Sequence, residues 1–242
     1  MSDDLSIAKK RELILGQIAA AAKPIAGSVI PRRAGEVTVV AVSKQQADEK
    51  IAEMLAAGQR VFGENRVQEA SQRWLDRFKV SREKIELRLI GPLQTNKAEQ
   101  AVDLFDVIET LDREKLAAKL AGLRQKGRKL PRLLVQVNTG EEPQKSGIFP
   151  RELPGFMDKL RRDYDLHPEG LMCLPPLAKD VGGQAVSPHF WLMQNLAREQ
   201  NLSILSMGMS QDFETAVKMG ATHVRLGTAL FGPRLPLSLI HI

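Results

Sequence analysis

The chain is poor in the residues that most often announce a chemistry. One cysteine, Cys173, among 242 residues excludes an intramolecular disulfide and a cysteine-rich metal site. One tyrosine, Tyr164, two tryptophans and eight phenylalanines are present, without the interleaving with basic residues that single-strand nucleic-acid binders use for stacking. There is no P-loop, no G-x-G-x-x-G fingerprint and no His/Cys ligand cluster. No uninterrupted apolar run approaches the roughly 20 residues that span a bilayer. The first residues, Met1-Ser2-Asp3-Asp4, are acidic where a secretory leader would be basic. Low-complexity stretches are also missing. These absences predict a soluble, cytoplasmic protein with neither membrane nor nucleic acid as partner.

What remains is ordinary in amount and regular in arrangement. The chain is 43% hydrophobic and 26% charged, with 35 Lys and Arg against 29 Asp and Glu. Its net charge of +6 is spread along the sequence rather than gathered. The densest basic cluster, Lys126-Gly127-Arg128-Lys129-Leu130-Pro131-Arg132, follows a helical pattern, where cations favour the C-terminal end of the dipole. A solvated helix end is therefore its expected role, with an anionic ligand or surface as the alternative.

Apolar spacing divides the chain into alternating units. A helix is predicted from about Leu5 to Ala22, ending before Pro24, then a linker to residue 36. Val37 to Val42 is a β-branched run that reads as a strand buried on both faces. Further strands are predicted at Arg60–Phe62, Ile85–Ile90, Phe105–Ile108, Leu133–Val137, Gly170–Leu174, Leu202–Leu205 and His223–Leu226. Helical spacing separates each consecutive pair, including a single helix through Val67, Trp74 and Phe78. Strict alternation implies a parallel sheet with right-handed crossovers. Eight units in this length predict one α/β domain over residues 1–242: a closed (β/α)8 TIM-type barrel with an N-terminal helix before its first strand. The apolar tail 235–242 has no assigned role.

Barrels of this kind carry their working groups on the loops after the strands. That rule selects Ser43-Lys44 after the first strand, Gly63-Glu64-Asn65 after the second and Gly91 to Lys97 after the third. It also selects Asn138 to Gly147, Ser206 to Ser210 and Gly227-Thr228. Ser210 is expected to stand where a helix begins, so its hydroxyl and the N–H groups beyond it suit an anion. Gly227-Thr228 offers a close backbone approach and a second hydroxyl. Arg225, two residues before Gly227, is placed to reach over the mouth. Lys44 ends an apolar strand, and partial desolvation there lowers an amine's pKa, as a Schiff-base lysine requires. Each has a plainer reading: a helix cap, a turn, an interior ion pair and a first solvated residue.

Several segments, in order and at matching spacing from about Val37 to Arg234, carry a resemblance. They are Ala41-Val42-Ser43-Lys44, Phe62-Gly63-Glu64-Asn65-Arg66-Val67-Gln68-Glu69 and Ile90-Gly91-Pro92-Leu93-Gln94-Thr95-Asn96-Lys97. Gly170-Leu171-Met172, Leu205 to Ser210 and Val224 to Gly232 complete the set. Together they resemble the pyridoxal phosphate homeostasis proteins, single-domain relatives of the alanine racemase barrel, which is fold type III among pyridoxal 5′-phosphate (PLP) proteins. The resemblance implies a vitamin B6 homeostasis role, with PLP held as a Schiff base on Lys44 and Asn65 close to the ring. It implies Ser210, Gly227 and Thr228 at the phosphate with Ser206 as a neighbour, and Arg225 facing the pyridine nitrogen. Lys145 lies in the family's lysine-containing loop. Arg66 departs from the usual tyrosine, Leu87-Arg88-Leu89 from Trp-His-Phe, and Pro92 from a common histidine. The implied partners are PLP and PLP-dependent apo-enzymes, and the expected state is a monomer or weak dimer.

Carrier and enzyme are weighed on the same residues. A guanidinium cannot accept a proton from the ring nitrogen, so Arg225 weakens the ring as an electron sink. Tyr164 precedes the sixth strand and is predicted at the bottom of the barrel. None of the four histidines has an evident place on a top loop. Delivery without efficient catalysis is the preferred reading. The alternatives are a weak PLP-dependent amino-acid racemase or lyase, and a barrel that binds a sugar phosphate without the cofactor.

Overall fold

The computed structural model describes residues 5–22, 36–176 and 187–233. Helix α1 (Ile7–Ala21) comes first, opened by Ser6, whose hydroxyl accepts from the Lys9 N–H. Eight parallel strands then close on themselves in chain order: β1 (Thr38–Val42), β2 (Val61–Glu64), β3 (Glu86–Leu89), β4 (Val107–Leu111), β5 (Arg132–Val137), β6 (Gly170–Cys173), β7 (Ile204–Ser206) and β8 (His223–Leu226). Pairing of β8 with β1, from Thr38 with His223 to Ala41 with Leu226, completes the ring and leaves no open sheet edge. The crossovers carry α2 (Asp48–Ala56), α3 (Val67–Ser71), α4 (Lys79–Arg82), α5 (Ala98–Leu104), α6 (Glu114–Gln125), α7 (Leu153–Arg162), α8 (Ser187–Glu199) and α9 (Phe213–Lys218). A last turn, α10 (Thr228–Phe231), follows β8. Helix α1 packs on α2, α9 and α10.

The barrel is made by side chains that alternate along each strand. Outward residues such as Val39, Ala41, Phe62 and Leu133 are buried in one core shared with the helices. Inward residues keep register around the ring: Val40 stands opposite Arg225, Gly63 opposite Arg88, and Gln136, Met172, Ser206 and His223 follow one another across β5 to β8. Outward rows therefore anchor the helices, while inward rows decide what the barrel holds.

Three of the predicted elements need correction. The seventh strand runs Ile204–Ser206, not Leu202–Leu205. The fourth strand runs Val107–Leu111, not Phe105–Ile108, and every residue in it is buried. A carboxylate within a strand looks like its end; here Arg88 and Ser206 satisfy Glu109, so the strand continues through it. The predicted single helix from Val67 to Phe78 is broken: α3 passes at Gln72 into a π-helical segment, Gln72–Arg77. Among the described residues no helix is long and apolar enough to cross a membrane. The basic cluster after α6 is partly answered by acid, with Arg128 at 2.8 Å from Glu99 and 2.7 Å from Asp103. The linker after α1 and the tail 235–242 lie outside the described residues.

Candidate functional site

Lys44 follows β1 in a tight turn whose next residue, Gln45, takes φ of 57°. Ser43 points outward, its hydroxyl donating to Glu64 Oε1 at 2.7 Å. Backbone alternation therefore brings Lys44 into the inward row of Val40 and Val42, half-buried at the mouth. Asn65 takes the same row beyond Gly63. Its Oδ1 is buried with no hydrogen-bond partner among the described residues, a costly state unless something donates to it. Gly91 is held tightly beside it: a Cβ there would lie 2.2 Å from the Asn65 carbonyl oxygen. Thr110 donates to the Gly91 carbonyl at 2.9 Å and fixes the loop from below.

The loops after β7 and β8 are joined to each other. Ser210 Oγ accepts from the Ala229 N–H at 3.2 Å, so Ser210, Gly227 and Thr228 form one rim. Ser210 is not the helix cap expected of it. Helix α9 begins three residues later, with Asp212 at its N-cap position and Asp212 Oδ1 accepting from the Met209 N–H at 2.5 Å. Among the described residues no group accepts from the Ser210 or Gln211 N–H. Gly208 permits the sharp entry to this loop with φ of 95°.

Beneath that rim runs a buried polar chain. Arg225 donates to Ser206 Oγ at 2.8 Å and to the Cys173 carbonyl at 2.6 Å. Ser206 donates on to Glu109 at 2.6 Å, and Arg88 donates to Glu109 at 2.5 Å. Burial opposes the charge on Glu109, yet Arg88, then Arg225, hold its carboxyl below the ordinary range. An ionised Glu109 thus orients Arg225 through Ser206. The structure places Ser206 in this chain with Arg225, rather than on the rim with Ser210 and Thr228.

Other residues fall where the sequence suggested, or elsewhere. Tyr164 lies between α7 and β6, at the opposite end of the barrel, and packs against the core. Cys173 faces the helices, and burial pushes its thiol up to about 12, leaving it protonated. Lys145 pairs with Glu142 at 2.6 Å. His189 is a correction. It opens α8 at the mouth, with Nδ1 3.1 Å from the Thr139 carbonyl, so one histidine does have a top position. Its place at the start of the helix after β6 was the available signal. Glu109 and Arg88 escape a sequence reading as partners of Arg225 because nothing in linear spacing brings β3, β4, β7 and β8 together.

A closed parallel barrel with a lysine, an orphaned amide and a hydroxyl-rich double loop at the C-terminal ends of its strands defines the cofactor-barrel class. The family model for the alanine racemase N-terminal domain matches residues 28–235. A pyridoxal phosphate homeostasis protein of Vibrio cholerae is 39% identical over 211 residues, covering 84% of this chain and 88% of that one. PipY of Synechococcus elongatus, solved with PLP bound, aligns with a TM-score of 0.74 at 33% identity over 93% of this chain and all of that one. Alanine racemase of Corynebacterium glutamicum, at 19% identity and a TM-score of 0.64, shares the fold alone. The chain belongs to the pyridoxal phosphate homeostasis proteins, within the alanine racemase N-terminal domain family.

Proposed function

We propose that this protein binds pyridoxal 5′-phosphate at the barrel mouth and holds it for intracellular vitamin B6 homeostasis, delivering it to apo-enzymes. The observation that carries the reading is the joined rim above a fixed Arg225, on the same inward face as Lys44. The cofactor supplies an aldehyde and an electron-accepting ring. Lys44 is the covalent anchor, Asn65 Oδ1 faces the ring, and Arg225 donates toward the ring nitrogen, with Ser206 as its support. Ser210, Gly227 and Thr228 receive the phosphate, aided by the Ser210 and Gln211 N–H groups. The whole chain, residues 1–242, acts as one barrel domain, and its place of work is the cytoplasm.

Phosphate recognition gives the test. Pyridoxal should bind ten- to a hundredfold more weakly than its phosphate ester, since one charge-assisted contact contributes about 1.5–3 kcal/mol. Equal affinities in a spectroscopic titration would refute the site. His189 favours a second reading, amino-acid racemisation, because its imidazole brings a second nitrogen side chain to the mouth besides Lys44.

A further inference from the structure

Arg73 belongs to none of the mouth loops, yet it donates to the backbone on both sides of Lys44. It is buried in the π-helical segment behind the turn. One nitrogen, Nη1, donates to the Ser43 carbonyl at 3.0 Å, and Nη2 donates to the Gln46 carbonyl at 3.0 Å. These carbonyls stand on either side of Lys44-Gln45. Nη1 also meets Glu64 Oε1 at 2.8 Å, the oxygen that accepts from Ser43 Oγ at 2.7 Å and Trp74 Nε1 at 3.2 Å. The far edge of the guanidinium, Nε, lies 3.6 Å from Asp48 Oδ1 at the start of α2.

The local helix geometry serves this contact. Arg73 and Trp74 are adjacent in sequence, yet both reach the same carboxylate oxygen. The π segment carries them there, and such segments are frequent at functional sites. Trp74 is locked from the other side by Phe62, with ring centroids 4.9 Å apart. A buried carboxylate and guanidinium of this kind are costly to desolvate, so a packing role alone is a weak reason for them.

We propose that Arg73, with Glu64 and Ser43, is a positioning device for Lys44, fixing the backbone on both sides of the lysine so that Nζ meets an aldehyde seated in the mouth. This rests on the cofactor reading above. The step served is a condensation. Neutral Nζ forms a C=N bond with the aldehyde carbon, and the aldehyde oxygen leaves as water with the two amine hydrogens. No oxidant or reductant takes part.

The test separates presentation of the lysine from binding of the phosphate ester. Pyridoxine 5′-phosphate carries an alcohol in place of the aldehyde, so it probes the rim without Lys44 chemistry. Arg73→Lys keeps a cation beside Glu64 but cannot span both carbonyls; Ser43→Ala removes only the hydroxyl. In Arg73→Lys the rate of borohydride-trappable link formation should fall about ten- to a hundredfold, the usual effect of a small misplacement. Its Kd for pyridoxine 5′-phosphate should stay at the wild-type value. Ser43→Ala should show the same selective slowing to a smaller degree, and it decides the matter if Arg73→Lys does not fold. Parallel losses for both compounds, or wild-type rates in the folded variants, overturn the proposal while leaving the cofactor reading intact. A wild-type protein that takes up neither compound overturns both.

Discussion

His223 sits low in the barrel interior, where Arg88 and Arg132 face it along with Glu109 and Glu86. Burial, reinforced by Arg88, lowers its pKa from 6.5 to about 4. The folded protein therefore keeps this imidazole neutral, while the unfolded chain protonates it below about 6.5. Between those values the unfolded state binds more protons. Stability should be full above pH 6.5 and fall as pH drops toward 4, by on the order of 3 kcal/mol from this group. His223→Gln should flatten that stretch of the unfolding profile, measured by denaturant melts from pH 4 to 7. A variant slope equal to the wild type would remove His223 as the cause. The same buried ionic layer marks the limit of a linear reading. Lys44 and Asn65 stand out because each follows a strand, and Arg225 because it lies on β8 two residues before Gly227. Glu109 is not, since its meaning comes from Arg88 and Ser206, 21 and 97 residues away.

At the scale of elements, the strand–helix alternation is readable because fully buried parallel strands leave continuous apolar runs between amphipathic helices. The departures are local. The carboxylate inside β4 disguises the strand's last residues, and the π-helical segment keeps the apolar spacing of an α-helix while changing its winding. A serine just before a helix usually caps it, but at α9 Asp212 holds that place instead of Ser210. Two glycines contrast a tightly packed loop with an open helix face. At Gly91 a Cβ would strike the Asn65 backbone at 2.2 Å, so Gly91→Ala must displace the loop that carries Asn65. It should weaken cofactor binding and lower Tm together. At Gly122, inside α6, an added Cβ would meet nothing within 4 Å. Gly122→Ala should instead raise stability by about 0.5–1 kcal/mol and leave cofactor affinity unchanged. Calorimetry and a spectroscopic titration of both variants check the contrast, which reversed signs would contradict.

For the whole molecule the question is whether the barrel carries its cofactor or works with it. Tyr164 lies at the far end, the Cys173 thiol is held protonated, and a guanidinium such as Arg225, proposed to face the ring nitrogen, cannot take a proton from it. None of these three is a positioned acid–base partner, and lacking such help costs about 10²–10⁴ in rate. Incubation with L-alanine in deuterated water should show at most slow α-proton exchange and little inversion. Turnover near 1–10³ s⁻¹, the ordinary enzymatic range, would restore the racemase reading and make His189→Gln the next variant to assay.

The anchoring of the cofactor on Lys44 is the claim on which carrier and enzyme readings alike depend. Borohydride reduction of the PLP-loaded protein, followed by proteolysis and mass spectrometry, tests it most directly. The label should fall on the peptide containing Lys44 and disappear in Lys44→Ala. Recovery of the label on Lys97 or Lys145 in the wild-type protein would contradict the account.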